Sequence, residues 1–181
     1  VEFRRKHMEQ YPRAVAVLNA VADGIGWGKP AKPGVFRGVA QMRSYGSYVA
    51  AACELSVSNG NEVKIHRIVA ATDPGYVVNP AQVVRQVSGS FVYGLSALFE
   101  EEITIEKGAV VQKNFDTFNS IRLSQMPKVE TTIIQGGGKD WGGVGEPTIA
   151  VAAPAVLNAI YRATGKRLRE VPLKNSGIKL V

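Results

Sequence analysis

Apolar positions recur at two spacings along the chain, and the changes between them mark out helices and strands. Over residues 12–23, Val15, Leu18 and Ala22 fall on one helical face, Pro12 suits the first turn and Gly24 offers a C-terminal stop. Residues 35–42 and 48–58 read as strands. Asn59-Gly60-Asn61 has hairpin-turn chemistry and residues 63–72 return as a third strand, so the pattern predicts an antiparallel pair. The run Lys64-Ile65-His66-Arg67-Ile68-Val69 alternates only loosely, which leaves the register open. Asp73-Pro74-Gly75 then breaks the strand. Asn79, the expected N-cap, and Pro80 open a helix to about residue 93, with Val83, Val84, Val87, Phe91 and Leu95 at helical spacing. Further strands are expected near 101–105 and 109–114, joined across Lys107-Gly108, and at 129–134. After a Gly-rich loop, residues 148–164 form the last helix, stopped by Gly165 with Lys166 and Arg167 near its negative end.

Strands and helices mix without βαβ regularity, which points to an α+β fold with a mixed or antiparallel sheet and packed helices. The 181 residues suit one domain, taken as 12–173. Residues 1–11 read as a tail or the continuation of an upstream segment, and 174–181 as a C-terminal tail. The chain opens on Val1 rather than Met, as expected of a piece of a longer product or a processed one.

Composition narrows the chemistry. No apolar run approaches the roughly 18 residues that span a bilayer, and no signal peptide is visible behind Arg4-Arg5-Lys6. The expected location is soluble, cytoplasmic or periplasmic. One cysteine, Cys53, excludes an internal disulfide and is read as a buried thiol. With only His7 and His66 beside it, a zinc site or an iron–sulfur cluster within this chain is not expected. A redox metal would have to arrive on an organic ligand or in a partner. The net charge of +7 includes basic clusters at Arg4-Arg5-Lys6 and Lys166-Arg167-Leu168-Arg169. Aromatic residues do not interleave with them, so solvated faces are expected rather than nucleic-acid binding; an anionic cofactor or acidic partner also suits the charge.

Two stretches could carry chemistry. Residues 136–147 hold six glycines in twelve positions. Composition alone reads as a flexible surface loop, but Glu146 sits directly before Pro147 and a strong helix. A carboxylate held there in weakly polar surroundings would be a usable general base, while the helix N-terminus would favour its charged form. The second stretch is the face of the 80–93 helix bearing Gln86 and Gly89, three residues apart. An amide beside a gap left by Gly can donate to a ligand, although a surface Gln near a helix–helix contact Gly is the blander reading. Ser44-Tyr45-Gly46-Ser47-Tyr48 could line a pocket or merely lead into a strand. His66 is expected to be structural or exposed, and Glu100-Glu101-Glu102 a solvated turn.

The order of several segments resembles a known family. Ser44-Tyr45-Gly46-Ser47-Tyr48-Val49-Ala50, Asp73-Pro74-Gly75-Tyr76-Val77-Val78-Asn79-Pro80 and Gly94-Leu95-Ser96-Ala97-Leu98 come first. Asn114-Phe115-Asp116, Met126-Pro127, Gly143-Val144-Gly145-Glu146-Pro147 and Ala163-Thr164-Gly165-Lys166-Arg167-Leu168 come after them. Together they are similar to the C-terminal part of the molybdopterin-binding large subunit of the xanthine oxidase/aldehyde oxidase family. The likeness is strongest to isoquinoline 1-oxidoreductase beta subunits and related bacterial aldehyde dehydrogenases. The resemblance implies a molybdenum-dependent oxidoreductase that oxidises an N-heterocycle or aldehyde with water-derived oxygen. It implies Glu146 as the base that takes a proton from a molybdenum-bound hydroxyl. It also implies contacts from Gln86, Gly89, Val144 and Gly145 to a molybdopterin-type cofactor, and electron exit through 2Fe-2S clusters in a partner subunit. Ser88-Gly89-Ser90 departs from the acidic residue and paired small residues usual after that Gln, and the Gly-rich approach with Trp141 is longer than usual. The family's upstream cofactor loops would precede Val1, so the expected site is a shared one, completed by an upstream segment or another polypeptide. A non-catalytic stand-alone binding or assembly module of the same fold is the alternative.

Overall fold

The computed structural model describes residues 1–137 and 141–181. A mixed sheet lies between helices on both of its faces. Strands β1 (Phe36–Ser44), β2 (Ser47–Ser58) and β3 (Glu62–Asp73) form an antiparallel meander, and β6 (Lys128–Ile133) adds parallel to β3. The intervening β4 (Ile105–Glu106) and β5 (Ala109–Val110) make a separate two-residue ribbon. This is the expected mixed sheet with packed helices.

Helix α2 (Pro12–Ile25) comes after a short α1 (Glu2–His7) and covers one face. Its Val17, Leu18, Val21 and Ile25 pack on Val39, Ala50, Ala52, Val69 and Ala71. Helices α3 (Pro80–Phe99) and α4 (Ile149–Thr164) cover the other, against Val49, Ala51, Cys53, Ile68 and Ala70. Alternate residues of β2 and β3 therefore serve two cores. Burial on both sides accounts for the loose alternation along β3 and for the run Ala50-Ala51-Ala52, all fully buried.

Gly38 lets α4 lie directly on β1. A Cβ there would land on the Ala155 carbonyl oxygen and the Ala159 amide nitrogen. Gly94 plays the same part between α3 and α4, where a Cβ would strike that of Ala152.

Several boundaries move from those expected. Helix α2 runs past Gly24 and ends on Gly26, which takes the left-handed conformation. Helix α3 continues to Phe99 because Leu95, Leu98 and Phe99 are all buried. The ribbon of β4 and β5 is shorter than expected, and its apolar Ile105 and Val110 are exposed. Residues 174–181 contribute β7 (Lys179–Leu180), which pairs with Glu62 and Val63 and buries Leu180. Asn79 caps α3 by accepting from the Gln82 N–H at 3.2 Å, as expected. No helix among the described residues is long and apolar enough to cross a membrane.

Candidate cofactor-facing site

The end of β3 is tied down by Asp73, whose side chain is fully buried. Arg13 of α2 donates to it through Nε at 2.8 Å and Nη2 at 2.9 Å, and Nη2 also reaches the Asp73 carbonyl at 3.2 Å. The N–H groups of Gly75 and Gly136 donate to Oδ1 at 2.9 and 3.3 Å. Burial pushes this carboxyl up, but the Arg13 guanidinium and the two N–H donors outweigh it and hold it below the ordinary range.

Gly136 and Gly137, and again Gly142 and Gly143, are bonded to the ends of the β1–β2 and β3 strands. Gly137 N–H donates to Gly75 O at 3.2 Å, Gly142 N–H to Pro74 O at 2.8 Å and Gly143 N–H to Tyr45 O at 2.8 Å. Ser47 Oγ returns a bond to Gly143 O at 2.6 Å. A Cβ on Gly136 would fall on the Asp73 carboxylate, and one on Gly142 on Ser47. At Gly136, Gly142 and Gly143 the reading as a flexible surface loop is thus corrected: a side chain there would meet Asp73, Ser47 or Tyr45. Gly138, Lys139 and Asp140 lie outside the described residues.

Beyond these glycines, Glu146 is fixed by the residues immediately C-terminal to it. Pro147 and Thr148 are buried, and the Glu146 carbonyl accepts from Ile149 N–H at 3.0 Å. Thr148 Oγ1 makes a short hydrogen bond to Ser90 Oγ of α3. Since Ser90 already donates to Val87 O at 2.7 Å, the Thr148 hydroxyl is the donor between them. The Glu146 side chain itself is exposed, so the weakly polar enclosure expected from sequence is not supplied by these residues. Glu146 pushes the exposed phenol of Tyr45 above the ordinary tyrosine value.

Gln86 lies one turn before Ser90, on the same side of α3 and about 6 Å along its axis. It is exposed. Ser90 touches Thr148, two residues after Glu146, so the start of α4 is joined to the helix that bears Gln86. Gly89 and Gly145 have nothing within 4 Å of where a Cβ would stand. Gly89 is therefore not the helix–helix contact glycine of the blander reading; Gly94 is. Val144 is half-buried and packs on the core beneath. The rings of Tyr76 and Trp141 lie 4.8 Å apart at 37°, both exposed. Among the described residues no group of three or more His, Cys, Asp or Glu side chains could hold a metal ion directly.

Sequence reasoning missed the Arg13–Asp73 anchor and the Ser90–Thr148 clasp, and named Tyr45 only within a segment that could line a pocket. Other expectations resolve elsewhere in the fold. Cys53 is fully buried, its Sγ 3.4 Å from Ala155 O, and burial pushes the thiol up to about 12. His66 is exposed beside Ser56 Oγ at 3.0 Å. Glu100, Glu101 and Glu102 are half-buried rather than a solvated turn, with Glu102 accepting from Asn175 Nδ2 at 2.8 Å. Burial would raise Glu54, but Arg67 and Arg37, at 2.7 and 2.8 Å, hold it below the carboxylate range and tie β1, β2 and β3 together.

Comparison with known proteins bears on what such a site serves. Over 178 residues the chain is 30% identical to the beta subunit of isoquinoline 1-oxidoreductase from Brevundimonas diminuta, covering 96% of this chain and 23% of that protein. It is 27% identical over 191 residues to a nicotinate dehydrogenase subunit of Pseudomonas putida, covering 96% of this chain and 16% of that protein. The chain thus spans less than a quarter of these relatives. Among solved structures, the copper- and molybdenum-containing CO dehydrogenase in its carbon monoxide-reduced state superposes with a TM-score of 0.56 at 25% identity. That match covers 66% of this chain and 16% of the other. The family profile described as molybdopterin cofactor-binding domain matches residues 19–127, more than half of the sequence, and the chain belongs to that family.

Proposed function

We propose that the chain is the C-terminal cofactor-binding segment of a molybdenum hydroxylase, a molybdenum-dependent oxidoreductase that oxidises an N-heterocycle or an aldehyde with water-derived oxygen. Glu146 is its general base. The observation that carries this reading is the placement of Glu146 by Pro147 and the Thr148–Ser90 clasp, which joins the start of α4 to the helix that bears Gln86.

The described residues fit a large planar organic cofactor better than a bare metal ion. Gly89 and Gly145 leave space where side chains would stand, the Gln86 amide is exposed as a donor, and no acidic or histidine cluster competes for the metal among the described residues. When bound, the molybdenum cofactor supplies the two-electron redox chemistry. Glu146 accepts the proton released as oxygen is delivered, a role that needs a carboxylate fixed within hydrogen-bond reach. Gln86 orients the cofactor by donation, Gly89 and Gly145 admit it close to the backbone, and Val144 anchors the turn between them. The upstream segment completes the site, and 2Fe-2S clusters in a partner subunit take the electrons.

The test is to co-express the chain with the upstream segment and the iron–sulfur subunit, then measure molybdenum content and turnover of an N-heterocycle or aldehyde. Glu146→Gln is expected to keep its molybdenum and lose turnover by roughly 10²–10⁴-fold. Molybdenum retained with turnover intact would refute the base. An assembled complex that binds no molybdenum would favour a non-catalytic assembly module instead. The 181-residue chain alone is expected to hold little molybdenum, and stoichiometric metal on it would overturn the shared site.

A further inference from the structure

We infer that the chain carries a second binding site, remote from Glu146, for a small apolar monocarboxylate of about the size of benzoate. The site is a cavity of about 210 Å³ between the β2–β3 turn, the end of α4 and the last residues of the chain.

Its place in the fold separates it from the cofactor-facing site. Ser47 starts β2, Asp73 ends β3 and Glu146 precedes α4. The cavity is lined by Val57, Val63, Ile160 and Leu168, at the other end of the same two strands and of the same helix. Helix α4 has 16 residues, so its ends stand about 24 Å apart along the axis.

The walls are apolar and held in place. Val63 and Ile160 are buried, and Val57, Leu168 and Ile178 pack on the same core. The last residues are laced to the turn: Lys179 N–H donates to Asn61 O at 3.0 Å, Val181 N–H to Val63 O at 2.9 Å and Asn61 Nδ2 to Gly177 O at 2.8 Å. On the other side Gly165 ends α4 in the left-handed conformation, and Lys166 N–H donates to Thr164 Oγ1 at 3.2 Å. Size sets the body of the ligand. An apolar cavity of about 150 Å³ takes up benzene, so this larger one seats a ring with a small substituent.

The polar groups of the lining set the charge. Lys166 belongs to the basic cluster at 166–169. Its neighbour Arg167 is occupied by Asn158 Oδ1 at 3.2 Å and by the Tyr161 ring at 3.5 Å. Lys166 forms no ion pair with any carboxylate among the described residues, and the Ser176 hydroxyl has no hydrogen-bond partner among them. Thr164 Oγ1, by contrast, already donates to Ile160 O at 2.9 Å. An ammonium and a hydroxyl thus remain as donors on a lining that contains no acid. Two donors beside apolar walls suit a carboxylate with an apolar body.

Amide resonances of the 181-residue chain titrated with benzoate test this. Shifts are expected around Asn61, Lys166 and Ile178, saturating as one site with a Kd on the order of 1 mM. Lys166 is exposed, so Lys166→Gln leaves the walls intact and should weaken binding about two- to fivefold. Benzamide, the neutral analogue, should bind wild type no better than benzoate binds that variant. Leu168→Trp, which fills the cavity with a ring of its own, should abolish binding with the circular dichroism spectrum kept. Shifts that do not saturate, that gather elsewhere or that survive Leu168→Trp overturn the site. Benzoate affinity unchanged in Lys166→Gln overturns the preference for a carboxylate. In the enzyme assembled with its upstream segment, equilibrium dialysis should again find a benzoate site that Leu168→Trp removes. Its absence there would mean that protein fills the cavity, and would overturn a small-molecule site. None of these outcomes bears on Glu146 as the base.

Discussion

Asp73→Asn is the substitution whose consequence the structure determines most closely. The carboxylate is fully buried and takes four N–H donors, two from Arg13 and one each from Gly75 and Gly136. Asn keeps Oδ1 for the glycines but turns an NH₂ toward Arg13 Nε, which stood 2.8 Å from Oδ2. Breaking one side of a buried ion pair costs about 3–5 kcal/mol. The Arg13 side chain is 29% exposed, so water recovers part of its solvation and about 2–3 kcal/mol is the better figure. In a chain of this size each kcal/mol lowers Tm by about 2–4 °C, which predicts a fall of roughly 5–10 °C at neutral pH. The pH dependence has a definite sign. The folded carboxyl is held below its unfolded value of about 3.9, so its stabilisation is full above that value and is lost as pH falls through the folded one. Thermal unfolding followed by circular dichroism should show a constant gap between wild type and variant down to about pH 4, narrowing below it. A Tm within about 2 °C of wild type at pH 7, or a gap that does not narrow in acid, would refute the anchor.

Two further substitutions or probes come from the core. Gly38→Ala should cost about 3 kcal/mol, at the upper end for overpacking, because its Cβ meets backbone atoms of α4 that cannot rotate away. Gly28→Ala, which meets nothing within 4 Å, is the control, and equal Tm values for the two would contradict the direct seating of α4 on β1. Cys53, fully buried and raised to about 12, should resist iodoacetamide at pH 8, where about one thiol in 10⁴ is ionised, until denaturant is added. Rapid labelling of the native chain would show that this face of the sheet opens.

Much of the fold could be read from spacing because each element buries a face of its own. Val83, Val87, Phe91 and Leu95 mark α3 at helical intervals, and Asn79 caps it. Asn59 and Gly60, with φ +50° and +77°, make the turn their identities promise. What spacing could not supply was tertiary. The helix was expected to end near residue 93, but Gly94 is packed against Ala152 and α3 runs on to Phe99. Residues 101–114 are apolar enough for long strands, yet Ile103, Ile105, Val110 and Val111 find no core and remain exposed. β7 has two residues and no pattern to show; Glu62 and Val63 create it by pairing.

The site divides in the same way. Glu146 was legible because Pro147 and the helix behind it act locally, within a few residues. Its surroundings were not, because Gly136, Gly142 and Gly143 are held by bonds to distant stretches: Gly136 to Asp73, Gly142 to Pro74, Gly143 to Tyr45. Composition records only that side chains are missing there, and both a loose loop and a tightly threaded one satisfy it. The same logic bears on what lies outside the chain. Gln86, Gly145 and Glu146 are exposed, and so are Tyr76, Tyr93 and Trp141. A general base acts on a bound group with bulk water kept away, whereas Glu146 here is exposed. On the function proposed above, its cover must come from the remaining three-quarters or more that relatives such as the Brevundimonas diminuta protein possess. The chain's own part is then to hold a carboxylate, an amide and two bare stretches of backbone in fixed relation. That is why its long-range bonds gather behind the glycines rather than around the carboxylate.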